Sequence, residues 1–298
     1  MVANTSPTTL VVGKTVSRLG TAVDSGANCW STATFYGPAS DPTANLKLIR
    51  AFFDKYPEYI SKVVLIVKGG LDVKTWSPVK GDDISFFRNE IEQVKAILGD
   101  KELDVYCLAR LSETAVEIIF TNMAQLIKEG SVKAIGVSEM SAASLEKAHK
   151  LTRSTRFAPS LSMRLKSPYS HTSPRSATPS PGAPPILSRS WLIPPLGKAN
   201  SRGQAFYENQ KLVDQVEEIA KKKGVTTGQL ALAWILAQSE FAIPIPGSTN
   251  VGRIRENVSA INVKLDSEEL EALNKLASAF EVQGARYPEA FQKYLVSF

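Results

Sequence analysis

The chain is poor in the residues that build metal centres and disulfide frameworks. Two cysteines, Cys29 and Cys107, and two histidines, His149 and His171, are all that 298 residues contain. Each cysteine sits in an apolar run, so both read as buried free thiols rather than a disulfide or a metal pair. Two histidines are too few for a transition-metal site, and none is expected. No apolar run approaches the roughly 18 residues that a membrane span needs. The segment from Met1 to Val12 lacks the basic and apolar regions of a secretion signal. Together these absences predict a cytoplasmic protein with no membrane partner.

Acidic residues are also missing, but only locally. From Lys147 to Tyr207 there is no Asp or Glu, while ten Lys and Arg residues fall there. Removing those ten from the 35 basic residues leaves 25 against 29 acidic ones. The net charge of +6 therefore belongs to one segment, and the remainder has the ordinary balance of a soluble enzyme. No nucleic-acid partner is expected of it. Within that segment, residues 151–203 hold nine of the 17 prolines and eleven serines and keep no sustained period. Read literally, this is an irregular basic Pro/Ser/Arg-rich stretch inside a single domain spanning 1–298. Such a stretch is suspicious inside a compact domain, and its composition is what translation in a wrong frame would produce.

What is present is a regular alternation. Apolar runs at Ala27 to Thr32, Lys62 to Val67, Leu103 to Leu108, Val132 to Val137 and Phe241 to Ile245 predict interior strands. Between them, Leu46, Ile49, Phe52, Phe53 and Tyr56 share one helical face, as do Ile84, Phe87, Ile91, Val94 and Leu98. Val116, Ile119, Phe120, Met123, Leu126 and Ile127 share a third. Thr226-Thr227-Gly228-Gln229 and Asp266-Ser267-Glu268-Glu269 carry the chemistry that opens two further helices. Leu10 to Leu19 alternates around Gly13-Lys14 and predicts a short hairpin. Strand and helix in this rhythm indicate βαβ units on a parallel sheet, and the length suits one eight-unit barrel of roughly 250 residues.

Three blocks carry chemistry. Trp30-Ser31-Thr32-Ala33-Thr34-Phe35-Tyr36-Gly37 and Val63-Val64-Leu65-Ile66-Val67-Lys68-Gly69-Gly70 put a tyrosine and a lysine at the ends of successive runs. Carbonyl reduction needs a hydride at carbon and a proton at oxygen. Tyr36 is the candidate acid. An ordinary phenol, with a pKa of about 10, is a poor donor at neutral pH, and an ammonium reached from the next strand makes it a better one. The plainer alternatives are a core-capping tyrosine and a solvated lysine. In the third block, Gly247-Ser248-Thr249-Asn250 precedes a helix carrying Arg253, an arrangement that receives phosphate on backbone N–H groups and hydroxyls. A guanidinium at Arg253 favours NADP over NAD through its 2′-phosphate. The alternative there is a helix cap with a surface arginine.

These blocks, with Gly13-Lys14-Thr15-Val16-Ser17-Arg18-Leu19-Gly20, Asn45-Leu46, Phe53-Asp54-Lys55-Tyr56-Pro57-Glu58, the run from Gly130 to Glu139 and Arg286-Tyr287-Pro288, resemble the aldo-keto reductases. More narrowly, they are similar to the fungal pyridoxal reductases. The resemblance spans about residues 10–150 and 205–290. It implies a (β/α)8 TIM barrel, an NADPH/NADP cofactor and a small carbonyl substrate, with Tyr36 and Lys68 catalytic. It also implies that Ser248, Arg253, Glu256 and Asn257 hold the adenosine-phosphate end and Ser138 the nicotinamide carboxamide. Glu139 stands where many members have asparagine, with a helix cap as its alternative. Ser31 occupies the place of the family's aspartate, and Ala109 follows the strand where most members carry histidine, as in the pyridoxal reductase subgroup. The pattern jumps after Gly20, and residues 151–203 replace the sixth and seventh strand units, so the barrel is expected to be incomplete at its first, sixth and seventh strands. Two other readings stand beside reduction: a non-catalytic relative that binds cofactor or regulates, and an interaction role for the basic Pro/Ser segment.

Overall fold

The computed structural model describes residues 12–138, 144, 147–148, 151, 204–238 and 243–280. The irregular 152–203 stretch, Glu139 and the Arg286-Tyr287-Pro288 block lie outside the described residues.

The first described element is a helix, α1, over Val12–Asp24. This corrects the expected hairpin at Leu10 to Leu19. Leu19 and Val23 recur four residues apart, which places them on one helical face. Leu19, Ala22 and Val23 are buried. Gly26, at φ +98°, ends the helix: its N–H donates to the Val23 carbonyl at 2.8 Å and the Ala27 N–H to the Ala22 carbonyl at 2.8 Å. Only a residue free to take positive φ closes a helix this way, and the reversal aims the chain into the sheet.

Four parallel strands follow in chain order. They are β1 (Cys29–Ala33), β2 (Val64–Gly69), β5 (Val105–Leu108) and β6 (Ala134–Val137), with the order β1-β2-β5-β6 across the sheet. A two-stranded hairpin, β3 (Leu71–Asp72) and β4 (Ser77–Pro78), extends the loop after β2. The helices α2 (Ala44–Lys55), α3 (Ile84–Leu98) and α4 (Val116–Lys128) cover one face. The core between sheet and helices holds Trp30, Leu65, Val67, Tyr106 and Ile135 from the strands and Phe52, Phe53, Phe87, Ile91, Met123 and Leu126 from the helices. Four of the five expected strands and all three of the expected helical faces between them are found. Each strand is apolar on both faces because helices cover one side and a lumen the other.

Pairing register identifies the other face. Ser31 pairs with Ile66, Ala33 with Lys68, Lys68 with Cys107, and Cys107 with Gly136, so these side chains share one side of the sheet. Ile243 and Ile245 pack against Cys29, Ile66, Val105, Cys107 and Ala134 on that side. The expected strand at Phe241 to Ile245 is not observed over residues 243–245, which run irregularly. Its isoleucines pack on the inner face of the sheet instead.

The second half adds α5 (Gln204–Lys223), α6 (Thr227–Ala237), α7 (Val251–Ser259) and α8 (Ser267–Ala279). Both expected capping boxes form, at Thr226 with Gln229 and at Asp266 with Glu269. Val216, Ala220, Leu230, Trp234 and Leu273 make a satellite core. Ile254 and Val258 of α7 pack on Ala22 and Ala27, which ties this half to the start of the sheet.

Candidate active site

Ser31, Tyr36 and Lys68 come together. Lys68 is the fifth residue of β2 and points into the lumen, where its Nζ donates to Ser31 Oγ at 2.8 Å. Ser31 is 1% exposed and Lys68 9% exposed, so a primary ammonium is held out of bulk water by a hydroxyl. Tyr36 lies three residues beyond β1, and its N–H donates to the Ala33 carbonyl. The Lys68 Nζ sits 5.2 Å from the centre of the Tyr36 ring, a cation–π distance. Phe35 stands edge-on to Tyr36 at 5.4 Å and to Trp76 at 6.0 Å between ring centres, which walls this end of the lumen with aromatic surface.

The neighbouring lumen positions are small. Cys107, Ala109 and Ser138 are all buried, and a Cβ added to Gly136 would sit 3.3 Å from the Cys107 Cβ and Sγ. Ser138 follows β6, its N–H donating to the Leu108 carbonyl at 2.9 Å. It therefore stands at the same carboxyl end as Tyr36 and Lys68, where open α/β sheets and barrels place their ligands. Burial pushes the Cys29 thiol up to about 11, and with Cys107 also buried neither sulfur is poised as a nucleophile.

The Gly247-to-Asn257 block is organised as a helix entrance. Ser248 Oγ accepts from the Asn250 N–H at 3.1 Å, and Asn250 Oδ1 accepts from the Arg253 N–H at 3.1 Å as the cap of α7. Gly247, Thr249 and Arg253 are exposed. Among the described residues the Arg253 guanidinium has no acidic partner. Glu256 instead accepts from Thr226 Oγ1 at 2.6 Å, which fastens α7 to the start of α6. Asn257 is half-buried, its carbonyl accepting the Ala260 N–H. An open guanidinium one turn into a capped helix N-terminus fits a phosphate-bearing group.

A carboxylate that the sequence analysis did not single out lies beneath the site. Glu90 of α3 accepts from Thr34 Oγ1 at 2.9 Å, from the Gly70 N–H at 2.9 Å and from the Tyr106 hydroxyl. Burial raises its pKa above the usual carboxylate value against the pull of those three donors. Tyr106, fully buried beside it, is raised well above an ordinary phenol by burial and by the neighbouring carboxylate. The signal was available: Glu90 interrupts the apolar stripe of Phe87, Ile91, Val94 and Leu98.

Comparison with known proteins decides the ancestry. The aldo/keto reductase family profile matches residues 8–278. The chain belongs to the aldo/keto reductase family. That family consists of oxidoreductases that act on carbonyl groups with NADP(H). Among curated relatives, probable pyridoxal reductase 2 of Schizosaccharomyces pombe is 29% identical, over 92% of this chain and 88% of its own length. Aldo-keto reductase yakc of the same yeast, designated NADP(+), is 27% identical over 90% and 83%. An aldo-keto reductase of Gibberella moniliformis is 29% identical over 90% and 85%. Among solved structures, a thermostable aldo-keto reductase superposes with a TM-score of 0.66 at 21% identity, covering 92% of this chain and 94% of that one. The aldose reductase of Giardia lamblia gives 0.66 at 17%, covering 95% and 92%. These neighbours assign the fold to the (β/α)8 barrels; among the described residues of this family member, the parallel sheet has four strands.

Proposed function

We propose that this protein reduces a small aldehyde of the pyridoxal kind to its alcohol with NADPH, Tyr36 donating the proton to the carbonyl oxygen. The observation that carries the reading is the meeting of Tyr36, Lys68 and the Ser31 hydroxyl at the carboxyl end of the sheet. NADPH, when bound, supplies the hydride. The Tyr36 phenol delivers a proton to the oxygen, and the buried Lys68 ammonium stabilises the phenolate left behind. Ser31 holds that ammonium by a hydrogen bond and brings no charge of its own. Phe35 packs edge-on between Tyr36 and Trp76. Ser138 would hold the nicotinamide carboxamide, and Gly247, Ser248, Thr249, Asn250 and Arg253, with Glu256 and Asn257, would hold the adenosine-phosphate end. Glu139 belongs to the same carboxyl-end loop by sequence. The similarity to a probable pyridoxal reductase and to an NADP(+) aldo-keto reductase supports substrate class and cofactor.

The test is NADPH consumption with pyridoxal by the full chain and by Tyr36→Phe. Turnover by the wild type and a loss of about 100-fold or more in the variant are expected, since general acid catalysis contributes at least that much. Equal rates in the two proteins overturn the role of Tyr36. The neutral residue at Ser31 favours a second reading, a relative that binds cofactor without turning over. NADPH binding with no aldehyde consumption selects it.

A further inference from the structure

Catalysis by a tyrosine and a lysine on different strands requires that the two strand ends keep a fixed separation. The backbone supplies part of this, with the Thr34 N–H donating to the Lys68 carbonyl at 2.8 Å. Beyond that point the chain leaves the ladder on both sides. Tyr36 sits in the loop after β1, and Gly70, at φ +78°, turns the chain away after β2.

Glu90 reaches both departing segments. Its Oε1 accepts from Thr34, two residues before Tyr36, and its Oε2 accepts from the N–H of Gly70, two residues after Lys68. The same Oε2 takes the hydroxyl of Tyr106, anchoring the carboxylate to β5. Its approach depends on Gly69: a Cβ there would lie 2.2 Å from Glu90 Oε2 and 2.7 Å from the Tyr106 hydroxyl. Packing alone would be better served by an apolar residue in this stripe, because burying a carboxylate opposes its ionisation. We propose that Glu90 is a positioning residue, whose carboxylate ties the ends of β1 and β2 to β5 and thereby sets Tyr36 against Lys68. The inference rests on the reading of Tyr36 and Lys68 given above. Glu90 touches neither reactant. It acts through Thr34 and Gly70.

Glutamine can keep the clamp, its carbonyl taking Gly70 and Tyr106 and its amide donating to Thr34 Oγ1. Leucine cannot. The experiment uses the full chain with 3-fluorotyrosine at position 36, and compares wild type with Glu90→Leu, Glu90→Gln and Thr34→Val. Measured for each are kcat and KM for pyridoxal, the Kd of NADPH, and the fluorine resonance at position 36. Glu90→Leu is expected to lose about 100-fold in kcat, the scale of a small misplacement of a reacting group. Its NADPH Kd is expected to stay within about twofold, because the phosphate end lies on α7, which Glu90 does not contact. Glu90→Gln recovers most of the turnover. The fluorine resonance moves in Glu90→Leu and Thr34→Val and stays in Glu90→Gln. An unmoved resonance and unchanged kcat in Glu90→Leu overturn the proposal, as does a Glu90→Gln protein as impaired as Glu90→Leu. Should Glu90→Leu fail to fold, Thr34→Val carries the same two outcomes. A wild type without turnover defeats the catalytic reading alone; the resonance then still decides whether Glu90 places Tyr36.

Discussion

At the scale of single residues, the proposed chemistry turns on Ser31. Its hydroxyl meets the Lys68 ammonium at 2.8 Å in a site sealed from water. Removing that acceptor strands a buried cation, so Ser31→Ala is expected to cost about 1–3 kcal/mol of stability, measured by denaturant unfolding. Ser31→Asp gives the Lys68 ammonium a charged hydrogen-bond partner in place of a neutral one, and a raised turnover number, measured by NADPH consumption, is the expected result. If Ser31→Asp leaves the aldehyde rate where it was, the missing carboxylate is not what limits this protein. Reading the sequence reached Tyr36 and Lys68 because each sits at the end of an apolar run, and Ser31 only through the family resemblance. It did not reach Glu90, whose meaning comes from Thr34, 56 residues away, and from Gly70 and Tyr106, 20 and 16 residues away.

At the scale of elements, the opposite end of the sheet is pinned by Asp104, just before β5. Its Oδ2 accepts from Lys101 at 2.7 Å and from the Leu65 N–H at 2.9 Å, while Oδ1 accepts from Lys133 at 3.1 Å. Burial pushes the Asp104 pKa up, but Lys101, the Leu65 amide and Lys133 together hold it below the ordinary aspartate value. A depressed folded pKa means stability that is present above the unfolded value of about 3.9 and is lost as pH falls through the folded one. Asp104→Ala leaves Lys101, only 4% exposed, without its carboxylate, and a loss of about 3 kcal/mol at neutral pH is expected. Unfolding followed against pH should show the gap between wild type and Asp104→Ala closing on the acid side. A gap that persists unchanged at low pH removes the ion-pair explanation. The elements were legible where period and length agreed, as in α2, α3, α4 and the four strands. Leu10 to Leu19 satisfied a two-residue and a near-helical period at once, and α1 prevailed because Leu19, Ala22 and Val23 find a buried surface along one stripe.

At the scale of the whole molecule, the proposed site draws on two halves. The sheet half carries Tyr36 and Lys68, and α7 in the helical half, which carries Arg253, packs on α1 through Ile254 and Val258. A ligand that spans both ends stabilises the folded chain by mass action, about 2.7 kcal/mol at a hundred times its Kd. Thermal unfolding is therefore expected to rise with NADPH, and more than with NADH at equal concentration. On the proposed role of its guanidinium toward the 2′-phosphate, Arg253→Met should erase the difference. Equal stabilisation by both cofactors in the wild type would remove Arg253 from that role. No helix among the described residues is long and apolar enough to cross a membrane. Within those residues Ile243 and Ile245, part of the run from Phe241 to Ile245 that predicts a strand, pack on the inner face of the sheet.

The sequence by itself determined the alternation of strand and helix, the capped starts of α6 and α8, and the placing of Tyr36 and Lys68 at successive strand ends. These follow from local period and local capping chemistry, which need no distant partner. Tertiary structure alone decided that α1 is a helix, that residues 243–245 line a lumen instead of pairing, that Lys68 rests on Ser31 and on the face of Tyr36, and that Glu90 ties three strands. In each of these the outcome depends on which groups remain unsatisfied once the chain is packed. That is set by neighbours tens of residues away.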